Sequence, residues 1–115
     1  MARTVEITPD EVVVRLSGWT AVAALRRELR VPRKAIRDVS TAAWHTDGWR
    51  IAGTGIPFRD YRQGWFRRDG KWQFLSFEHR DRVVALRVDR GLGSVRFDVV
   101  VVGVDDPEKV AAELR

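Results

Sequence analysis

The chain has no cysteine and only two histidines among its 115 residues. Without thiols it can form no disulfide, no thiolate metal site and no thiol nucleophile, and a reducing compartment is the simplest expectation. His45 and His79 lie far apart in the sequence, with no carboxylate at a metal-ligand spacing. The sequence therefore predicts no metal site.

The chain also lacks a long apolar run. The longest such run covers residues 99–104, which is about a third of the length that a membrane-spanning helix needs. Residues 1–6 lack the apolar core of a signal peptide. We therefore expect a cytoplasmic protein without a membrane span.

Motifs typical of catalysis are missing as well. No Gly-x-Ser-x-Gly sequence occurs, and Gly53-Thr54-Gly55 lacks the third glycine and the Lys-Ser/Thr pair of a phosphate-binding loop. The carboxylate pair Asp105-Asp106 precedes Pro107, where the start of a helix explains it. The sequence predicts no enzyme, no catalytic residue and no cofactor.

The residues that are present suit one small globular domain. Hydrophobic residues make up 44% of the chain and charged residues 32%, and a chain of this length can bury a single core. We expect one domain, residues 1–115. The net charge of +5 and the pI near 10.6 suit a polyanionic partner. The arginines are nevertheless spread between acidic residues, so a mixed solvated surface and a functional basic face both remain open.

The first half of the chain predicts a hairpin, a short helix and a further strand. Alternating apolar residues indicate a β-hairpin over residues 4–16 with a turn at residues 8–11. Residues 19–29 have apolar residues at helical spacing and predict a short helix, although a strand over residues 28–31 could replace its last turn. A tight turn over residues 32–35 and a strand over residues 36–43 follow. The inward-facing residues of the hairpin are Val12, Val14 and Leu16.

The segment of residues 65–104 organises the chain, because three short turns separate four strand-like runs. The runs cover residues 65–68, 71–78, 82–89 and 95–104. Asp69-Gly70, between the first two runs, is a strong hairpin signal, so the four runs predict an antiparallel meander. Gly64 suggests a bulge or a close backbone approach.

The last run and the tail predict how the sheet is covered. Alternate residues from Val95 to Val101, Phe97 among them, are apolar and are expected on one face. After Val99 both faces are apolar, as expected where another layer packs over the sheet. Residues 105–108 predict the start of a C-terminal helix that caps the sheet. Its apolar stripe comprises Val110, Ala111 and Leu114.

Several segments together resemble a known family. They are the hairpin that ends in residues 12–16, residues 29–36, residues 53–57, and residues 104–108 with the closing helix. The chain resembles the bacterial pleckstrin-homology-like (PH-like) domains, small uncharacterised proteins of high-GC bacteria. The resemblance covers most of the chain and implies a mainly β fold. That fold is a bent antiparallel β-sandwich or partly open barrel of about seven strands, capped by a C-terminal α-helix.

The resemblance also implies a role in protein interaction or assembly. Members of the wider superfamily bind phosphoinositides through basic residues around the first inter-strand loop. Here the first turn, Thr8-Pro9-Asp10-Glu11, is acidic, and a first loop over residues 17–27 would offer only Arg26 and Arg27. Phosphoinositide binding is therefore not supported, and a fold by itself carries no function.

Residues 44–58 predict a long irregular loop, because two glycines and a proline fall within a few residues. Such loops often hold binding residues. A competing interpretation is that the aromatic side chains of this loop close one end of the sheet core. The candidate interaction surface comprises Trp44, His45, Trp49, Arg50, Arg59 and Arg62.

The leading hypothesis is a non-catalytic domain that binds a protein or peptide, or self-associates, through this loop or an exposed sheet edge. An alternative is binding of single-stranded nucleic acid or another polyanion by the basic and aromatic residues that alternate over residues 59–72. Strand parity limits this alternative, because at least half of those aromatic residues must face the core. A further alternative is small-molecule or lipid binding under residues 53–58.

Overall fold

The computed structural model describes residues 3–16, 28–42, 49–55, 62–68, 70–79, 81–89 and 97–114. For residues 49–55, 62, 63 and 68 it describes the backbone. The described strands and helix are β1 (Arg3–Ile7), β2 (Glu11–Leu16), β3 (Glu28–Pro32), β4 (Ile36–Ser40), β5 (Trp49–Gly55), β6 (Arg62–Arg68), β7 (Lys71–Phe77), β8 (Val83–Val88), β9 (Val99–Gly103) and α1 (Pro107–Leu114). The protein is mainly β with two sheets and a C-terminal helix, as the sequence predicted.

The first three strands form an antiparallel sheet in the order β1-β2-β3. The hydroxyl of Thr8 stabilises the turn between β1 and β2, because its Oγ1 accepts the N–H of Glu11 at 3.0 Å. The inward-facing residues of β2 are buried, at 0–5% exposure, so the predicted hairpin is confirmed.

The connection from the first sheet to the second was partly predicted. Most of the predicted helix over residues 19–29 lies outside the described residues, and its last two residues belong to β3, as the alternative strand interpretation proposed. After Pro32 a 3-10 turn, Arg33–Ala35, leads directly into β4. This strand ends at Ser40 rather than at residue 43.

The other six strands form a second sheet in the order β4-β8-β9-β7-β6-β5. The predicted meander is therefore wrong at one point. Instead of pairing with β7, β8 is separated from it by β9, which runs antiparallel to β8 and parallel to β7. Four consecutive valines, Val99 to Val102, are buried on both faces of β9, and a strand that is apolar on both faces is most stable in the centre of a sheet.

The predicted loop over residues 44–58 is also wrong in part, because residues 49–55 form strand β5. The strand tolerates its glycines because it lies at the edge of the sheet, where β6 is its one partner among the described strands. Gly53 lies opposite Gly64, and the register shifts between Arg50 and Ala52. Gly64 has a φ of 132°. The sequence predicted a bulge or a close backbone approach near this glycine, and the register shift lies in the same pair of strands.

The two sheets pack face to face around one large apolar cluster. The three-stranded sheet contributes Val12, Val14 and Leu29, and β7 and β8 contribute Phe74 and Leu86 among others. A second cluster lies on the opposite face of the six-stranded sheet; it comprises Phe66, Leu75, Phe77, Val83, Ala85, Val99 and Val101. The six-stranded sheet is therefore buried on both faces at its centre.

The alternation predicted that Phe97 shares a face with Val99 and Val101, and this prediction is wrong. It packs in the first cluster, whereas those two valines belong to the second. The reason is a bend at Asp98, whose backbone N–H bonds to the Trp72 carbonyl at 2.8 Å. Strand β9 begins only after this bend, so the period of two restarts there.

Helix α1 begins where the sequence predicted. Asp106 accepts the N–H of Lys109 on its Oδ1 at 3.2 Å, and Pro107 is the first helical residue. Ala111 is fully buried, and Val110 and Leu114 pack against the first cluster. The helix therefore caps the sandwich with its apolar stripe, as expected.

Candidate functional site

Of the six residues that the sequence proposed as an interaction surface, the structure describes three, and for those three it describes the backbone, so the surface stays a prediction. Trp44, His45 and Arg59 lie outside the described part of the chain. Trp49 and Arg50 are at one end of β5, whereas Arg62 pairs with Gly55 at its other end. Those two ends are about 20 Å apart in an extended strand.

Of the alternating basic and aromatic residues of β6 and β7, the described aromatic residues pack largely in the core. Phe66 is 4% exposed. Trp65 is half-buried, and its ring lies edge-on to that of Phe97, with 5.5 Å between the two ring centroids. Trp72 is half-buried, and the guanidinium of Arg67 lies over its ring at 4.9 Å. Stacking of nucleic-acid bases requires open aromatic faces, and this arrangement offers few of them among the described side chains.

The outer face of the three-stranded sheet carries charges that neutralise one another. A continuous chain of ion pairs joins Glu6, Arg15, Glu28, Arg30 and Glu11. Val13 lies at the centre of this series of ion pairs and is 2% exposed. The hydrogen bond that Arg30 donates to Glu28, followed by the charge of Glu11, raises the pKa of Arg30. With three carboxylates and two guanidiniums, this face has no excess positive charge to attract a polyanion.

A groove of about 460 Å³ separates the outer edge of β1 from helix α1 and the segment that precedes it. Val5 and Ile7 of β1 form one wall, and Val104 and Val110 line the other. Neither the sequence motifs nor the predicted site included this groove. The groove forms where the fold places α1 beside β1, and the linear sequence does not show this placement.

The edge of β1 that faces the groove carries free backbone groups. In an antiparallel pair, hydrogen-bonded and non-hydrogen-bonded residue pairs alternate. Thr8 donates its N–H to the Glu11 carbonyl at 2.9 Å, and the register is regular. Thr4 and Glu6 must therefore bond to β2, whereas the N–H and C=O groups of Val5 and Ile7 point outward. Among the described residues, none bonds to these outward groups.

The alternation on the far side of β2 agrees with this assignment. The Asp10 carbonyl accepts the N–H of Arg33 at 2.9 Å, and the β2–β3 register then makes Val12 and Val14 bond to β3. The backbone N–H and C=O groups of the intervening residues of β2, such as Glu11 and Val13, must therefore point toward β1. The two ladders give the same orientation for β1.

Arg3 holds β1 against the second sheet beside the groove. Its side chain is 8% exposed and forms an ion pair with Glu78. Its Nε donates to Ser76 Oγ and its Nη1 to the Gly103 carbonyl, both at 2.9 Å. The planar guanidinium can reach all three partners at once, so the edge of β1 is fixed in position.

The rim of the groove is acidic. Among the described residues, Asp105, Asp106 and Glu113 line it together with the ammonium group of Lys109. Arg3, the other cation among the described lining residues, is neutralised by Glu78. The described lining of the groove therefore has an excess of negative charge, although the whole chain has a net charge of +5 and Arg33, whose Nη2 donates to the Glu113 carbonyl at 3.2 Å, lies beside the rim.

The other two cavities that are lined by described residues are small. The apolar gap between the sheets, lined by Val14, Val84 and Leu114 among others, has a volume of about 10 Å³, which is at most one water molecule. A second cleft beside Glu78 and His79 measures about 80 Å³. No cluster of three or more metal-ligating side chains occurs among the described residues.

In the part of the chain that the structure describes, no helix has the length and apolar content required to cross a bilayer. Comparison of the chain with protein-family models, curated proteins and solved structures finds no match. The PH-like resemblance therefore remains a prediction from the sequence, and the groove between β1 and α1 is the candidate site on its geometry alone.

Proposed function

We propose that this chain is a non-catalytic interaction domain that binds an extended segment of a partner protein as an additional strand on β1. The outward N–H and C=O groups of Val5 and Ile7 carry the proposal, because an added strand would satisfy them. A cytoplasmic location belongs to the same proposal, since a chain without cysteine suits a reducing compartment.

Of the four described strands at sheet edges, β1 is the best suited to accept another strand. Register shifts interrupt β4 between Ile36 and Asp38 and β5 between Arg50 and Ala52, and bulges oppose further pairing. Strand β3 ends in Pro32, which has no N–H to donate. Strand β1 has a regular register and no proline.

The groove beside β1 is needed for useful affinity. Four backbone hydrogen bonds at about 1 kcal/mol each contribute about 4 kcal/mol, whereas a micromolar complex requires about 8 kcal/mol. Side chains of the added strand must supply the difference by contact with apolar groups. Val104 and Val110 provide such groups on the opposite wall.

A peptide selection with a backbone-blocked counterpart tests the proposal. Random peptides displayed on phage would be selected on the wild-type chain and counter-selected on Val5→Pro. Proline at this position removes only an outward N–H, so the ladder to β2 should persist. By contrast, Thr4→Pro removes an N–H that faces β2 and should destabilise the fold.

We expect selected peptides to bind the wild-type chain at least tenfold more tightly than Val5→Pro, and to slow hydrogen exchange at the amides of Val5 and Ile7. The exchange measurement uses the wild-type chain, so it does not depend on how well the variant folds. Arg37→Ala, on the distant edge strand β4, is the matched control and should bind as the wild type does. Failure to select peptides, or protection at other strands only, would refute the proposal.

A further inference from the structure

We infer that the segment bound by the groove alternates apolar residues with lysine or arginine. This inference rests on the proposed strand addition to β1, and it identifies the chemical class of the partner. It is carried by the apolar walls of the groove and by the acidic rim.

The apolar positions follow from the faces of β1. Val5 and Ile7 turn their side chains toward the sandwich, whereas Thr4 and Glu6 are exposed on the outer face. A strand added to β1 would extend the same sheet, so every second side chain would point into the groove. Those side chains would meet Val104 and Val110, which favours aliphatic residues there.

The basic positions follow from the carboxylates around the groove. Asp105 and Glu113 are exposed, and none of the described side chains forms an ion pair with either. Asp106 adds a third carboxylate, although its Oδ1 also caps the helix. Long cationic side chains can lay their methylene groups on apolar surface and extend their charge to such a rim.

The overall charge of the protein makes this preference diagnostic. A chain with a net charge of +5 repels a basic peptide and attracts an acidic one at long range. A preference for lysine can therefore arise only where carboxylates predominate locally. Among the described cavities, the groove beside β1 is the one that is lined by three carboxylates.

Three synthetic hexapeptides would test the inference: valine alternating with lysine, with serine and with glutamate. All three are equally apolar on one face, and the lysine and glutamate peptides both carry long side chains of opposite charge, so the comparison of these two isolates the sign of the charge. We expect the lysine peptide to bind at least tenfold more tightly than the glutamate peptide at low ionic strength, with the serine peptide between them. The difference should shrink as added salt screens the charges.

Charge-neutralising variants locate the preference. The double variant Asp105→Asn with Glu113→Gln should bind the lysine and serine peptides with nearly equal affinity, and its affinity for the serine peptide should not change. The matched control, Asp38→Asn with Asp81→Asn, removes the same charge from exposed positions away from the groove. It should keep the preference for lysine.

The outcomes separate the inference from the function on which it rests. If the serine peptide binds at β1 but lysine gives no advantage, the inference is wrong and strand addition stands. The same holds if glutamate is preferred. If none of the three peptides binds the wild-type chain, both the inference and its premise fail.

Discussion

Arg3 joins the two sheets through a single side chain, and its removal should be costly. Replacement by alanine deletes the hydrogen bonds to Ser76 and Gly103 and the ion pair with Glu78. Hydrogen bonds to a charged donor at a nearly buried position contribute about 1.5–3 kcal/mol each. We expect Arg3→Ala to lower the free energy of unfolding by about 3 kcal/mol in urea denaturation.

Arg37→Ala provides the comparison for this prediction. Arg37 also pairs with a carboxylate, Asp89, but its side chain is 57% exposed. Exposed pairs contribute little, so this variant should stay within about 0.5 kcal/mol of the wild type. Equal losses for Arg3→Ala and Arg37→Ala would show that Arg3 does not join the sheets.

Gly70 gives a second prediction for a single residue. It directly precedes β7 in the hairpin that joins β6 to β7, and it has a φ of +76°, a conformation that disfavours side chains with a Cβ atom. No atom lies within 4 Å of the position that a Cβ would occupy, so the cost of substitution is backbone strain alone.

We expect Gly70→Ala to lower the free energy of unfolding by about 1 kcal/mol. Gly70→Asn should lose less, because asparagine tolerates positive φ. Thermal and urea denaturation of the two variants side by side measure this difference. An alanine variant as stable as the wild type would contradict the hairpin geometry.

The stability of helix α1 depends on its first turn. It has eight residues, and a helix this short is not stable in isolation. Packing of Ala111 and Leu114 on the sandwich and the cap at Asp106 must hold it. The same helix forms one wall of the groove, so its stability and peptide binding are linked.

We expect Asp106→Ala to lower the free energy of unfolding by about 1 kcal/mol. Asp106→Asn keeps an oxygen acceptor for the Lys109 N–H and should lose much less. Denaturation measures the loss, and hydrogen exchange at Val110 shows whether the helix frays. If both variants lose the same stability, the charge of Asp106 rather than its capping bond is important.

The strand order of the whole molecule predicts a pattern of backbone protection. Strand β9 has neighbours on both sides and is buried on both faces, so its amides should open only with global unfolding. In β1, by contrast, the amides of Val5 and Ile7 lack partners among the described residues and should exchange quickly.

Hydrogen exchange followed by NMR would measure this pattern residue by residue. We expect successive amides of Val99–Gly103 to be the slowest in the chain. In the meander that the sequence predicted, β9 would be an edge strand, and every second amide would exchange quickly. That alternating pattern in β9 would disprove the observed strand order.

The sequence by itself determined the local elements. The turn at Thr8, the hairpin at Gly70 and the start of α1 at Asp106 were all predicted at the correct positions. Each depends on side-chain or backbone preferences within a few residues, which the sequence displays directly. The run of four valines in β9 also indicated a strand buried on both faces.

Only the tertiary structure decided the strand order and the groove. Glycines in residues 49–55 predicted a loop, but pairing with β6 made them a strand, because tertiary context outweighs local propensity at an edge. Arg3 and Gly103 are separated by 100 residues and still bond to each other. Contacts of that kind follow from which apolar faces bury one another, and a linear pattern does not specify that choice.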